Sequence, residues 1–465
     1  MRCGVYARAG RPRQRYRCAP ADGSKPHTFT PPLPRAHVHA GESCRECLEL
    51  RGFHRGERSV ARRHRLPARV VARGLSDAAL GLSYAKTGLG ALTAAGLPTR
   101  PGRRRPPAKP PRPRRRWSTR KRKRRSPASK NMGRFWQIGA GLVEAFAPVV
   151  WAPVEARLRQ RAASMREAGQ PLVWILDELP IYGRDAAGNA KKSGGYAILV
   201  LAELDWTDPA VPGATKLRLV RAMPALNGTA WRLAFAEMGY VPDMILSDAS
   251  TSIISGVSRH FGTPGPLFVP SIWHIGQALE NNALEDALRG PYRDAFRAHL
   301  AQLARDGKAM ESVAAWHTWW DTLGALAIQS RAVRLDDLRR SRANYEDRMA
   351  AALPALLADP RLGMSTGGIE SLNHTWIDPL LAQRQYQFAN IERTNNLFDL
   401  AVCRSEGAFT DLNAVAALIE ADELPWGGWT VPLRAIADPQ PRRGTYSSLR
   451  DEALMNAIAE ERGLL

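Results

Sequence analysis

Two stretches of the chain end an apolar run on an acid. In "VWILDELPIYG" (173–183) the acids are Asp177 and Glu178, and in "MILSDAS" (244–250) the acid is Asp248. Strands this apolar belong inside a sheet, where an ionised carboxylate is costly unless something cationic meets it. If the two strands are neighbours, the acids stand side by side and repel, so one takes up a proton unless a divalent cation sits between them. Mg²⁺, or Mn²⁺ in its place, suits such an all-oxygen site. Two such ions about 4 Å apart activate the attacking oxygen and stabilise the leaving oxygen of a phosphodiester. Adjacent strand residues point to opposite faces, so Glu178 competes with Asp177 for that role. A third acid is offered twice, by Glu370 in "STGGIESLNHTW" and by Glu392 in "FANIERTNN". Glu392 stands beside Arg393 and can simply pair with it.

Weaker signals surround these acids. Arg384 and Arg393 follow Glu370 and suit either phosphate contacts or ordinary surface ion pairs. "AAWHTWWDTL" brings Trp316, Trp319 and Trp320 together. Trp316 and Trp320 share a helical face and read as core, whereas Trp319 is free to stack on an unpaired or flipped base.

The elements that must position these groups begin at 133. "FWQIGAGLVEAFAPVVW" reads as an apolar helical lead-in. Three strands follow, "LVWILDELPIYG", "GGYAILVLAELDW" and "KLRLVRAMPA", separated by turn-rich loops that suit an antiparallel meander. The helix "GTAWRLAFAEMG" then leads to a fourth strand, "PDMILSDAS". A helix from Thr251 and a strand in "GPLFVPSIWHI" come next. Three meandering strands and a helix crossing to a fourth describe an α/β fold of the ribonuclease H-like kind, a mixed sheet flanked by helices, with its first and fourth strands adjacent. On this reading 133–276 is the first part of the core, 277–360 an all-α insertion, 361–410 the closing helical segment and 411–465 a tail.

The N-terminal third has a different composition. The 465 residues carry a net charge of +23, but residues 1–132 hold 34 Lys and Arg against 6 Asp and Glu, leaving 33 basic and 38 acidic residues for the rest. Concentrated positive charge favours polyanions through counterion release, so nucleic acid is the expected partner. Residues 1–57 read as an irregular leader in which Cys18, Cys44 and Cys47 of "RYRC" and "CREC" offer a Zn²⁺ site or simply free thiols. Residues 58–97 contain two short helices, with Val70, Val71, Leu75, Ala79 and Leu80 on one face and Ser83 capping the second. They suit a helix–turn–helix or a hairpin that only packs. Residues 98–132 are Pro/Arg-rich, ending in the run Arg120, Lys121, Arg122, Lys123, a semi-rigid basic linker able to lie along phosphates. No run approaches 18 apolar residues, so no membrane span is expected. The first 30 residues lack an apolar signal core and the five cysteines form no disulfide framework, which favours a reducing cytoplasm.

Taken together, "WILDE…ILSDAS…IWHIG…STGGIESLN" resembles the DDE transposases of bacterial insertion sequences, in the Mutator-like branch whose helical insertion separates the second Asp from the Glu. The similarity covers roughly residues 133–405, and "TGGIESLN" is its most specific block. It implies Asp177, Asp248 and Glu370 as the metal-binding triad. It further implies DNA cleavage at terminal inverted repeats and strand transfer, transposon ends and target DNA as partners, a homo-oligomer to hold two ends, and a nucleoid-associated location. The family's C-x2-H pair survives only as His274, with Ser271 where Cys is expected, and His274 is implied to contact the scissile phosphate or orient a carboxylate. A metal-dependent nuclease without strand transfer, or an idle DNA-binding derivative, would carry the same residues.

Overall fold

In the computed structural model the described residues are 4–7, 16–19, 27–29, 64–65, 67–95, 127–184, 190–281, 291–303, 307–330, 334–359, 361–382, 391–421, 430–431 and 452–461. They divide into two compact units. The first takes residues 1–78, 82–149 and 409–440, and the second takes 79–81, 150–408 and 441–465.

In the first unit, helices α1 (Ala68–Ala79) and α2 (Tyr84–Ala94) form where the sequence placed them. Ser83 caps α2, its hydroxyl accepting from the Lys86 amide at 3.4 Å. Val71, Leu75 and Ala79 are buried, but Leu80 is 43 % exposed: the helix ends at Ala79, and Leu80 falls in the turn beyond it. Helix α3 (Pro127–Glu167) begins in this unit. A Cβ on Gly88 of α2 would stand 2.0 Å from the carbonyl oxygen of Phe135, and one on Gly139 would stand 2.0 Å from that of Tyr84, so α2 and α3 touch backbone to backbone. The exposed side of α2 presents Lys86 as its one basic residue. That is sparse for a recognition helix.

Three expectations are corrected here. The leader is not wholly irregular, because strands Gly4–Ala7, Tyr16–Ala19 and His27–Phe29 pair antiparallel. The basic linker stops before 132, since α3 starts at Pro127, a residue favoured in the first turn of a helix. A helix long and apolar enough to cross a bilayer does exist, at Ile138–Glu167, and more than half of its apolar window is buried within the protein. Isolated acids such as Glu144 interrupt the apolar run in sequence without preventing a continuous apolar helix.

The second unit is built on a five-stranded mixed sheet flanked by helices. Its strands are β1 (Val173–Arg184), β2 (Ala190–Asp205), β3 (Ala214–Met223), β4 (Met244–Ser247) and β5 (Leu267–Pro270). Their order is β3-β2-β1-β4-β5. The pairs β1–β2 and β2–β3 are antiparallel; β1–β4 and β4–β5 are parallel. Central β1 is covered on both faces, which explains its nearly continuous apolar run. Trp174 and Leu176 join one large core with Trp231 and Phe235 of α4 (Gly228–Met238) and Ile253 of α5 (Thr251–Phe261).

Helices α6 (Ile272–Asn281), α7 (Pro291–Leu300), α8 (Val313–Gln329) and α9 (Leu335–Ala358) follow β5. Next come α10 (Gly367–Leu372), a π-helical turn over Asn373–Ile377, α11 (Asp378–Ala382) and α12 (Ile391–Ser405), which packs against β3. The expected tail after 411 instead holds α13 (Leu412–Ala421), counted with the first unit, and α14 (Glu452–Glu461). Met455 and Ala459 of α14 are fully buried in the same core as Trp231.

Candidate functional site

Strand register brings the first two acids level. Val173 pairs with Met244 and Ile175 with Leu246, an offset of 71 residues, and the same offset carries Asp177 to Asp248. Likewise Met244 pairs with Leu267 and Ser247 with Pro270, which sets Ser271 beside Asp248. The Ser271 amide continues the ladder, donating to the Ser247 carbonyl at 2.7 Å. Asp248 and Ser271 thus stand just past the C-terminal ends of β4 and β5, and Asp177 stands two residues beyond the last parallel pair of β1, a strand that itself runs on to Arg184. This is the edge where open α/β sheets gather ligands.

Asp177 is fixed from two sides. The Glu178 amide donates to its Oδ1 at 2.8 Å, and Asn373 Nδ2 donates to its Oδ2 at 2.6 Å. Burial pushes the Asp177 carboxyl up to about 6; the Asp248 and Glu370 carboxylates push it in the same direction, and the two hydrogen bonds hold it back. That repulsion puts Glu370 of α10 in the same electrostatic neighbourhood as the paired aspartates across 122 residues of sequence. Glu392, the rival third acid, is exposed on α12. Glu178 belongs to the opposite face of β1. Its Oε1 accepts from Trp231 Nε1 and Ser252 Oγ, both at 2.5 Å, and its Oε2 accepts from Ser250 Oγ at 3.0 Å.

Asp248 opens a tight turn into α5. Ala249 is in the left-handed region at φ 57°, unusual for a residue with a Cβ. The Ser250 amide donates to Asp248 Oδ1 at 2.9 Å, and the Ser250 hydroxyl caps α5 by accepting from the Ile253 amide at 3.3 Å. Tyr345 of α9 reaches the Asp248 carbonyl with its hydroxyl at 3.4 Å.

His274 and Ser271 are tied together through Thr366. The Thr366 hydroxyl lies 3.1 Å from His274 Nδ1 and 3.3 Å from Ser271 Oγ, and Ser271 Oγ also accepts from the Thr366 amide at 3.3 Å. Ser271 and Thr366 are both buried. Burial holds His274 below its ordinary value, while Asp248 and Glu370 pull it back up. The imidazole is therefore mostly neutral at pH 7 and touches both acids electrostatically.

The donor chemistry here fits a hard divalent cation. Asp248 and Glu370 both raise the proton affinity of Asp177, a repulsion that positive charge relieves. The buried Oδ1 of Asn373, beside Asp177, has no hydrogen-bond partner and adds a neutral oxygen. Among the described residues, no three His, Cys, Asp or Glu side chains are close enough together to hold an ion as they stand, so binding requires the acids to draw in.

Other expected site residues fall elsewhere. Trp319 is not available to a base: it is 2 % exposed and sandwiched between His299, with ring centroids 4.9 Å apart, and Trp316, at 5.4 Å. Its Nε1 donates to the His299 carbonyl at 3.0 Å. The third side of α8, left open in a two-face reading, is closed by His299 from α7. Trp316 and Trp320 are core, as expected. Arg393 is buried on α12 at 4 % exposure, which withdraws it from phosphate contact. Arg384, the run Arg120, Lys121, Arg122 and Lys123, and Cys44 and Cys47 lie outside the described residues, as does the side chain of Cys18. Sequence reasoning assigned no role to Asn373, Thr366, Ser250, Ser252 or Trp231. For two of them a signal existed, since Thr366, Glu370 and Asn373 follow an i, i+4, i+7 spacing that places them along one helical face.

Comparison with family models, with curated proteins and with solved structures returned no match for this chain.

Proposed function

We propose that this protein is a metal-dependent DNA-processing enzyme of the DDE transposase kind, built on a ribonuclease H-like sheet with helices α7–α9 as its insertion. The observation that carries the reading is the parallel register of β1 and β4, which continued by two residues sets Asp177 level with Asp248, with Glu370 raising the proton affinity of Asp177 from α10. Asp177, Asp248 and Glu370 would hold Mg²⁺ or Mn²⁺, with Asn373 Oδ1 as a neutral neighbour. Bound there, the metal supplies Lewis-acid stabilisation of the oxygens that attack and leave in phosphodiester displacement.

The chain's own groups then have distinct tasks. Asn373 holds Asp177 in one orientation and donates the hydrogen bond that favours its ionised form. Thr366 engages Nδ1 of His274, which leaves Nε2 as the ring nitrogen to meet a phosphate oxygen. The excess charge of residues 1–132 holds DNA along its backbone without reading sequence. Synapsis of two DNA ends calls for a homo-oligomer.

Cleavage of a labelled DNA end in Mg²⁺, wild type against Asp248→Asn, tests the reading. Cleavage by wild type and its loss in the variant support it. Equal cleavage by both places the chemistry elsewhere, and binding without cleavage by either favours an idle DNA-binding derivative. Cleavage without joining to target DNA favours a nuclease.

A further inference from the structure

The two adjacent acids of β1 are held by different parts of the protein. Asp177 faces Asn373 and the carboxylate neighbourhood, whereas Glu178 turns to the other face and takes three hydrogen bonds from α4 and the start of α5. The geometry points to Glu178 as a positioning residue that fixes the Asp248 carboxylate, and not as a metal ligand; the inference rests on the metal-site reading above.

The connection runs through one residue. Ser250 donates its hydroxyl to Glu178 Oε2 at 3.0 Å and its amide to Asp248 Oδ1 at 2.9 Å. Between them stands Ala249 at φ 57°, a conformation that costs roughly 1 kcal/mol or more and persists only when its surroundings enforce it. Ser252 ties the next residue but one of the same turn to Glu178 Oε1 at 2.5 Å, and the Ser250 and Ser252 hydroxyls lie 3.0 Å apart. Trp231 Nε1, at 2.5 Å, anchors the Glu178 carboxylate against α4, and the Trp231 ring is fully buried. On the other side, the backbone amide of Glu178 holds Asp177 Oδ1. Glu178 is therefore joined to both aspartates at once: to Asp177 through its amide and to Asp248 through Ser250. With Trp231, Ser252 and Ser250 all donating to it, the Glu178 carboxylate is committed within the protein.

Partners that orient a ligating carboxylate, without touching the metal, are worth about 10- to 100-fold in metal affinity when removed. Glu178→Gln keeps Oε1 for Trp231 and Ser252 but replaces the oxygen that accepts from Ser250. Mn²⁺ binding, followed by the loss of the free-ion signal in electron paramagnetic resonance, should weaken at least about 10-fold in this variant. DNA cleavage at saturating Mn²⁺ should return to near the wild-type rate. Ser250→Ala should give a similar shift, Ser250→Thr should restore affinity, and the Glu178→Gln/Ser250→Ala pair should be no weaker than the worse single variant, since both break one linkage. Unchanged Mn²⁺ affinity in Glu178→Gln, with only a lower melting temperature, would show a purely structural acid and overturn the inference. Loss that saturating Mn²⁺ cannot rescue, as in Asp248→Asn, would make Glu178 a ligand and overturn it as well. Absence of Mn²⁺ binding by the wild type would remove the metal-site reading itself, and this inference with it.

Discussion

The distribution of roles among neighbouring side chains decides what the acids can do. Asp248→Asn is nearly isosteric but removes charge from the site. It should cut DNA-end cleavage by at least about 10³-fold while leaving end binding and the circular dichroism spectrum close to wild type. Asp177 yields a separate pH prediction. Its folded value of about 6 lies above the ordinary 3.8, so its protonated form is the one the fold favours. In metal-free buffer the contribution from this group is fully present below pH 3.8 and is lost as pH rises through 6, by about 3 kcal/mol at most. Asp177→Asn should therefore raise the melting temperature at pH 7.5 and leave it little changed at pH 4. An equal shift at both values would mean that burial and carboxylate repulsion do not set the proton affinity of Asp177. Trp319 belongs to this scale too. Trp319→Ala removes a ring stacked on both faces and should cost about 3–5 kcal/mol of stability in denaturant titration, while the DNA affinity of the folded fraction stays unchanged.

Among the elements, the parallel pairing of β1 and β4 matters most, because it converts a separation of 71 residues into side-by-side placement. Helix α10 then adds Glu370, and its approach to the sheet depends on Gly368, where a Cβ would stand 2.3 Å from the Thr215 hydroxyl oxygen on β3. Gly368→Ala should push α10 away from the sheet and weaken Mn²⁺ binding without removing any carboxylate; unchanged affinity would show that Glu370 does not need α10 in its present seat. At the far end of the chain, α14 inserts Met455 and Ala459 into the core around Trp231, and Asn456 meets Thr229 at 3.0 Å. Because Trp231 also anchors Glu178, truncation before Glu452 should lower the melting temperature and, on the proposed reading, weaken Mn²⁺ binding together.

Over the whole molecule, charge is partitioned rather than spread. Residues 133–465 carry 33 basic and 38 acidic residues and provide the sheet and the acids, while the preceding 132 carry the excess of positive charge. Deleting residues 98–126 removes the densest basic run yet stops short of α3 at Pro127. DNA affinity should fall steeply, and the slope of log affinity against log salt should flatten by about 0.9 for each phosphate that is no longer neutralised. An unchanged slope would transfer the DNA-binding role to another surface.

The sequence by itself determined the elements that depend on local pattern. Apolar runs ending in acids marked β1 and β4, the turn-rich loops marked the meander, and Ser83 marked the start of α2, because period, capping and turn chemistry act within a few residues. It also carried the 71-residue spacing, although nothing local says that this number is a register. Tertiary structure decided which way each side chain of a pair looks. Asp177 and Glu178 are indistinguishable by strand period alone; they separate only because Asn373 arrives on one face and Trp231 with Ser250 and Ser252 on the other. Trp319 and Arg393 read as surface groups for the same reason: whether a polar-looking helical face meets solvent depends on elements far away in sequence. His299 closes over Trp319, and Arg393 lies on the buried side of α12, which packs against β3. Burial is a property of the assembled layers, and no window of the chain contains it.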